Sequence, residues 1–162
     1  GQLSVANDNF TGAGYSQAQQ SLLTARREAT LTTGATTTLS LDGTGTTNLI
    51  IPNGTNRMWK VKVEWVATVT TITGTATGVT VGDSVYGETN FGFKKVGGVS
   101  SMGGILNDAE TGDTAIMDTC LMTYSAGASQ ELALTFTGPT FAGGGSVTMR
   151  VVAKVSLVEV AY

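Results

Sequence analysis

The stretch Met58 to Val69, MWKVKVEWVATV, decides the fold class. Trp59, Val61, Val63, Trp65, Ala67 and Val69 fall on one side of an extended chain, and Lys60, Lys62, Glu64 and Thr68 on the other. This period of two predicts a half-buried strand that sends both tryptophans into a core.

Outward from it, Leu132, Leu134 and Phe136 alternate with Glu131, Ala133, Thr135 and Thr137, a second strand of the same kind. After the Gly143-Gly144-Gly145 turn a long strand runs to Val160, with Val147, Met149, Val151, Ala153, Val155 and Leu157 as inward candidates. Its other side mixes Arg150, Lys154 and Ser156 with Val152, Val158 and Val160. A strand apolar on both sides is expected to be covered twice, here by a neighbouring subunit. Leu39 and Leu41 predict a short strand ending at Asp42-Gly43, and Leu49 to Ile51 form an apolar run stopped by Pro52 and Asn53-Gly54. Thr70 to Gly82 reads as weak strand or as loop. From Gln17 to Ala29, the residues Ala18, Leu22, Leu23, Ala25, Arg26, Arg27 and Glu28 favour a helix. Residues 1–20 read as a lead-in segment and 21–162 as one domain.

Composition agrees with a β-rich chain. The 162 residues include 28 Thr and 22 Gly against 2 Pro, and only 13% are charged. With no His, the Ser-His-Asp and Cys-His schemes and His-containing zinc sites are excluded. The net charge is −3 and the 9 Lys and Arg are scattered, so no footprint for a phosphate backbone is present and nucleic acid is not an expected partner. Cys120, the lone cysteine, reads as a small core hydrophobe. No apolar run reaches the length of about 18 residues that a spanning helix needs, so membrane insertion is not expected.

The motifs that touch on chemistry are weak. Gly82-Asp83-Ser84 lacks a histidine base and reads as a turn, and Gly12-Ala13-Gly14 lacks the context of a dinucleotide-binding loop. Asn9-Phe10-Thr11 and Asn53-Gly54-Thr55 match the glycosylation pattern by chance and by turn chemistry. Asp108, Glu110 and Asp113, with Asp118, form an acidic stretch whose reading is a solvated loop, with a Ca²⁺ site as the alternative. Tyr86, Phe91, Phe93, Lys94 and Lys95 stand among glycines in an apparent long loop, where rings and cations together suit a sugar or an anionic polymer. The other reading is that the rings anchor that loop to the body.

Several short segments, in order, carry a family resemblance: Leu41-Asp42-Gly43, Leu49 to Thr55 (LIIPNGT), the strand from Trp59 to Ala67, Met149 to Val155 (MRVVAKV) and Val158-Glu159-Val160. Together they resemble the carboxy-terminal domain of bacteriophage tail fibres, tailspikes and appendage proteins. Residues Asn9 to Gln20 are similar to the last turn of the Gly/Ala-rich β-repeats that precede that domain. Between Gly74 and Gly104 the chain departs from the family pattern. The resemblance implies a trimeric virion protein that caps a fibre and registers three chains, in places touching the host surface, with no enzyme activity and no cofactor.

The expectation is therefore an antiparallel, jelly-roll-like β-sandwich, homotrimeric, at the end of a phage fibre. Val152, Val158 and Val160 are its interface candidates, Tyr86, Phe91, Phe93, Lys94 and Lys95 its receptor-contact candidates. Fibre proteins of the virion and host polysaccharide are its expected partners. Rival readings are a self-cleaving chaperone domain, a polysaccharide-degrading tailspike fragment acting through Asp and Glu, and a capsid or head-decoration protein.

Overall fold

The computed structural model describes residues 2–7, 18–45, 56–127 and 131–161. Nine strands account for most of them: β1 (Gln2–Asn7), β2 (Ala18–Leu31), β3 (Thr36–Leu39), β4 (Asn56–Thr73), β5 (Ser84–Val96), β6 (Val99–Gly112), β7 (Leu121–Ala126), β8 (Leu132–Thr137) and β9 (Ser146–Ala161). They form two antiparallel sheets, one of six strands in the order β1-β2-β9-β4-β5-β6 and one of three in the order β3-β8-β7. A single 3₁₀ turn, Met117–Thr119, links β6 to β7. The chain is all-β, two sheets around one core.

The alternation of β4 is realised residue by residue: Trp59, Val61, Val63, Trp65, Ala67 and Val69 are all buried. β9 lies beside it and buries Val147, Met149, Val151, Ala153, Val155 and Leu157. From the small sheet, Leu39, Leu132, Leu134 and Phe136 close the core, with Phe136 edge-on to Trp65 at a centroid distance of 5.7 Å. Gly87, opposite Trp65 in the β4–β5 register, makes room for that indole: a Cβ there would lie 2.6 Å from the ring.

The segment expected as a helix from Gln17 to Ala29 is instead the long strand β2. It pairs with β9 from Ala18↔Val160 to Leu31↔Val147, burying Ser21, Leu23, Ala25 and Leu31 while Thr24, Arg26, Glu28 and Thr30 face out. Helix preferences of Ala, Leu and Arg differ from those of strand formers by only about 0.7 kcal/mol per residue at most. A ladder of this length on a buried face outweighs them. β1 continues the same sheet beyond β2.

The segment from Gly87 to Gly104 is not a long loop. It is the hairpin of β5 and β6, turned at Gly97-Gly98 with φ of 57° and 85°, the two positive values that a tight hairpin turn requires. Of Thr70 to Gly82, β4 takes the residues up to Thr73, and Thr77 is bridged to Ala142. Gly82-Asp83-Ser84 is a turn, with the Asp83 carboxylate accepting from the Thr80 N–H at 2.8 Å. The Leu49–Ile51 run with Pro52, the Asn53-Gly54-Thr55 and Asn9-Phe10-Thr11 sequons and Gly12-Ala13-Gly14 lie outside the described residues.

Candidate functional site

The small sheet covers the inner side of the large one, which leaves the large sheet's outer side to solvent. The register sorts this open face into rows running across the strands. Val160, Met58 and Lys94 make one row; Gln20, Val158, Lys60 and Gly92 the next; then Leu22, Ser156, Lys62 and Asn90; then Thr24, Lys154, Glu64 and Glu88; then Arg26, Val152, Val66 and Tyr86; then Glu28, Arg150, Thr68 and Ser84.

Lys62, Lys154, Glu64 and Glu88 occupy the two middle rows, and exposed apolar residues lie in the rows to either side. Lys154 Nζ lies 3.0 Å from Glu64, and Lys62 Nζ bridges Glu64 at 3.2 Å and Glu88 at 3.0 Å. Hydrogen bonds from Lys154 and Lys62 hold the Glu64 carboxyl below its ordinary range, and Glu88 and Glu64 hold the Lys62 ammonium above its own. Exposed pairs of this kind add little stability, but they leave the middle of the face electrically balanced. Toward one end, Met58, Lys60, Gly92, Leu106, Val158 and Val160 line a groove of about 340 Å³ floored by Trp59 and Phe91. Leu106 is 78% exposed and Val158 56%. Toward the other end, Val152, Val66 and Tyr86 form an exposed apolar row closed by Arg26.

Below the groove, on the inner side, Glu159 is buried beside Trp59, whose Nε1–H donates to it at 2.6 Å, and it forms an ion pair with Arg57. At the β6 edge a second polar chain runs from the Tyr124 hydroxyl to Thr89 Oγ1 at 2.9 Å and from Thr89 to Asp108 Oδ1 at 2.5 Å. Burial pushes the Tyr124 hydroxyl up. It pushes the Cys120 thiol up to about 12, so that this sulfur stays protonated.

These placements change the expected sites. Phe91 and Phe93 are fully buried on the inner side of β5, Phe91 against Tyr124 at 4.8 Å and Phe93 against Trp59 at 5.9 Å. As rings of the core they do not form an exposed contact loop with Tyr86, Lys94 and Lys95. Tyr86, 62% exposed, and Lys94 share the open face, while Lys95 is half-buried near the hairpin turn. Val152, Val158 and Val160 are exposed on β9. The acidic residues do not converge: Asp108 accepts from Thr89, Asp113 Oδ2 from the Ser84 N–H at 2.8 Å, and Asp118 Oδ1 from the Gly112 N–H at 2.7 Å. Among the described residues no group of three or more acidic, His or Cys side chains is placed so as to hold a metal ion. Met58, Leu106 and the Gly92 dip were not anticipated as part of a site. Met58 was legible as the outward start of β4, whereas Leu106 shows its exposure only once β6 is known to be an edge.

No protein-family model and no curated protein matches the chain. Among solved structures, the tailspike protein of Acinetobacter phage vB_ApiP_P1 is similar at 15% identity and a TM-score of 0.36, over 97% of this chain and 24% of that one. The tailspike protein of Acinetobacter baumannii phage AM24 is similar at 6% identity and a TM-score of 0.36, over 83% of this chain and 26% of that one. The chain thus spans about a quarter of the length of either. A TM-score of 0.36 is too low to carry a statement about this chain.

Proposed function

We propose that this chain is a structural module of a phage tail fibre or appendage, associating as a homotrimer and offering a surface to host polysaccharide. The observation that carries the reading is the open face of the six-stranded sheet. Val152, Val158 and Val160 are exposed there beside Met58 and Val66, while Lys62, Glu64, Glu88 and Lys154 in the middle rows are paired with one another. On leaving water such a face gains by burial of its apolar groups, and its paired charges keep their partners. The family resemblance of the motifs from Leu41 to Val160 adds the virion context. Within that reading Tyr86 and Lys94, exposed on the strand next to β4 and eight residues apart along it, are two separate residues for host contact.

Light scattering of the isolated chain over a range of concentrations tests the association. A species at three times 16.6 kDa is expected. A monomer at all concentrations overturns the reading. Host adsorption by particles carrying Tyr86→Ala with Lys94→Ala, expected to be lost while the oligomer persists, tests the contact.

A further inference from the structure

β1 pairs with β2 as far as Leu23, and beyond it the turn after β3 takes over the same edge, bridging Arg26 to Ser40. The turn grips both neighbouring arginines differently. Arg27 is tied down by it, donating to Thr37 Oγ1 and the Gly43 carbonyl, each at 3.2 Å, and to the Thr44 carbonyl. Arg26 points to the open face, and Gly43, at φ 85°, comes so close that a Cβ would lie 3.2 Å from its Nε. Between this turn and β9 is a cleft of about 340 Å³, lined by Arg26, Arg27, Glu28, Asp42, Arg150 and Val152. Its three guanidiniums against two carboxylates leave one positive charge in excess.

We propose that this cleft binds a carboxylate-bearing sugar, its carboxylate taken by Arg26 and Arg150 and its ring laid on Val152, a ligand class that rests on the host-polysaccharide reading above. The excess charge sits on Arg26, whose guanidinium has no hydrogen-bond or ion-pair partner among the described residues. Arg150 uses Nε on Glu28 at 2.5 Å. In the β2–β9 register Arg26 faces Val152 and Glu28 faces Arg150, so the two guanidiniums are diagonal neighbours on one face, within reach of a shared ligand. Their planar forks of N–H donors match the two oxygens of a carboxylate. A single excess charge suits a monoanion, whereas a phosphate dianion would also face Glu28 and Asp42. Those two carboxylates can instead accept from sugar hydroxyls. Val152, 43% exposed, offers an apolar wall to the C–H side of a ring. The row from Arg26 through Val152 and Val66 ends at Tyr86, three strand spacings or about 14 Å away, so one oligosaccharide can reach both contacts.

Titration calorimetry on the full chain tests the cleft with oligosaccharides of galacturonic, glucuronic and sialic acid, each beside its carboxyl-reduced neutral counterpart, and with inorganic phosphate. At least one acidic oligosaccharide is expected to bind about tenfold tighter than its neutral counterpart and than phosphate. Arg26→Gln, a change at an exposed position, is expected to keep the melting temperature and lose that preference. Arg26→Lys, which restores the charge without the fork, should recover only part of it. Equal binding of acidic and neutral forms overturns the proposal and leaves the host-polysaccharide reading standing. So does acidic binding that Arg26→Gln leaves unchanged. Phosphate binding as tight as the best acidic sugar overturns the carboxylate assignment. Binding of no saccharide at all overturns both.

Discussion

Trp59 and Glu159 are cross-strand partners on β4 and β9, and the indole N–H of the first donates at 2.6 Å to the buried carboxylate of the second. Arg57 completes the arrangement with an ion pair to the same carboxylate. A carboxylate this deep is tolerated because its acceptors are satisfied and its charge is matched. Removing it strands Arg57 and leaves the indole donor unpaired. Glu159→Ala is expected to cost about 3 kcal/mol in urea denaturation, in line with breaking a buried pair. Glu159→Gln, which keeps an acceptor for Trp59, is expected to cost less, and equal losses for the two would refute the role given to the hydrogen bond.

Phe91 and Phe93 belong to the core, whereas Tyr86 lies on the open face of the same strand. Phe91→Ala and Phe93→Ala are each expected to cost about 3–5 kcal/mol, as deletion of a buried ring does. Tyr86→Ala should change stability by no more than about 0.5 kcal/mol, as at an exposed site. Thermal or urea unfolding of the three variants separates core from surface directly.

Gly87 faces the Trp65 indole so closely that a Cβ would sit 2.6 Å from it. Gly87→Ala is therefore expected to lose about 1–3 kcal/mol by overpacking. The accompanying Trp65→Phe, which shortens the ring system, should recover part of the loss. A neutral Gly87→Ala would mean that the indole has another place to go.

Asp42 organises the turn after β3, accepting from Ser40 Oγ at 2.7 Å and from the Thr44 N–H at 3.0 Å. These hydrogen bonds, the one from Ser40 first, lower its pKa from 3.8 to about 2. A depressed folded-state pKa means that the contribution is complete above the unfolded value and fades as pH falls through the folded one. The stability difference between wild type and Asp42→Asn should therefore be constant above about pH 5 and shrink between about pH 4 and pH 2. A difference that does not change across that window would show that the ionised carboxylate is not the form that holds the turn.

Cys120 is buried, and its thiol is raised to about 12 by that burial, with Glu110 adding to the effect. Thiol reagents at pH 8 should leave the folded protein unmodified and label it fully in denaturant. Labelling of the native protein at a rate close to that of a free thiol would contradict the burial.

How much of this was legible in the sequence depends on what occupies the inward positions. In β4 and β9 nearly all of them are large and apolar, so the period of two from Trp59 to Val69 and from Val147 to Leu157 is plain. In β2 the inward set includes Ser21 and Ala25, small residues that fit a helix as well, and only the β9 ladder decides. In β5 it includes Gly87 and Thr89, so Phe91 and Phe93 look like isolated rings among glycines rather than the end of an alternating run. The open face was legible as the mixed outer side of β9, but its grooves and rows arise from registers between strands far apart in sequence. No local pattern encodes those.

The position of β9 bears on how the molecule is made. It is the last of the nine described strands, yet it lies between β2 and β4 and joins the two halves of the large sheet. While a ribosome is still producing residues before Ser146, β2 and β4 have no common neighbour, and Leu23, Ala25, Val61 and Val63 have no β9 side chains to pack against. Pairings such as Arg27↔Val151 span most of the chain, so their closure comes late and slowly. A chain stopped short of this strand is left with two sticky fragments and no product, and full-length synthesis becomes the condition for entering an assembly at all.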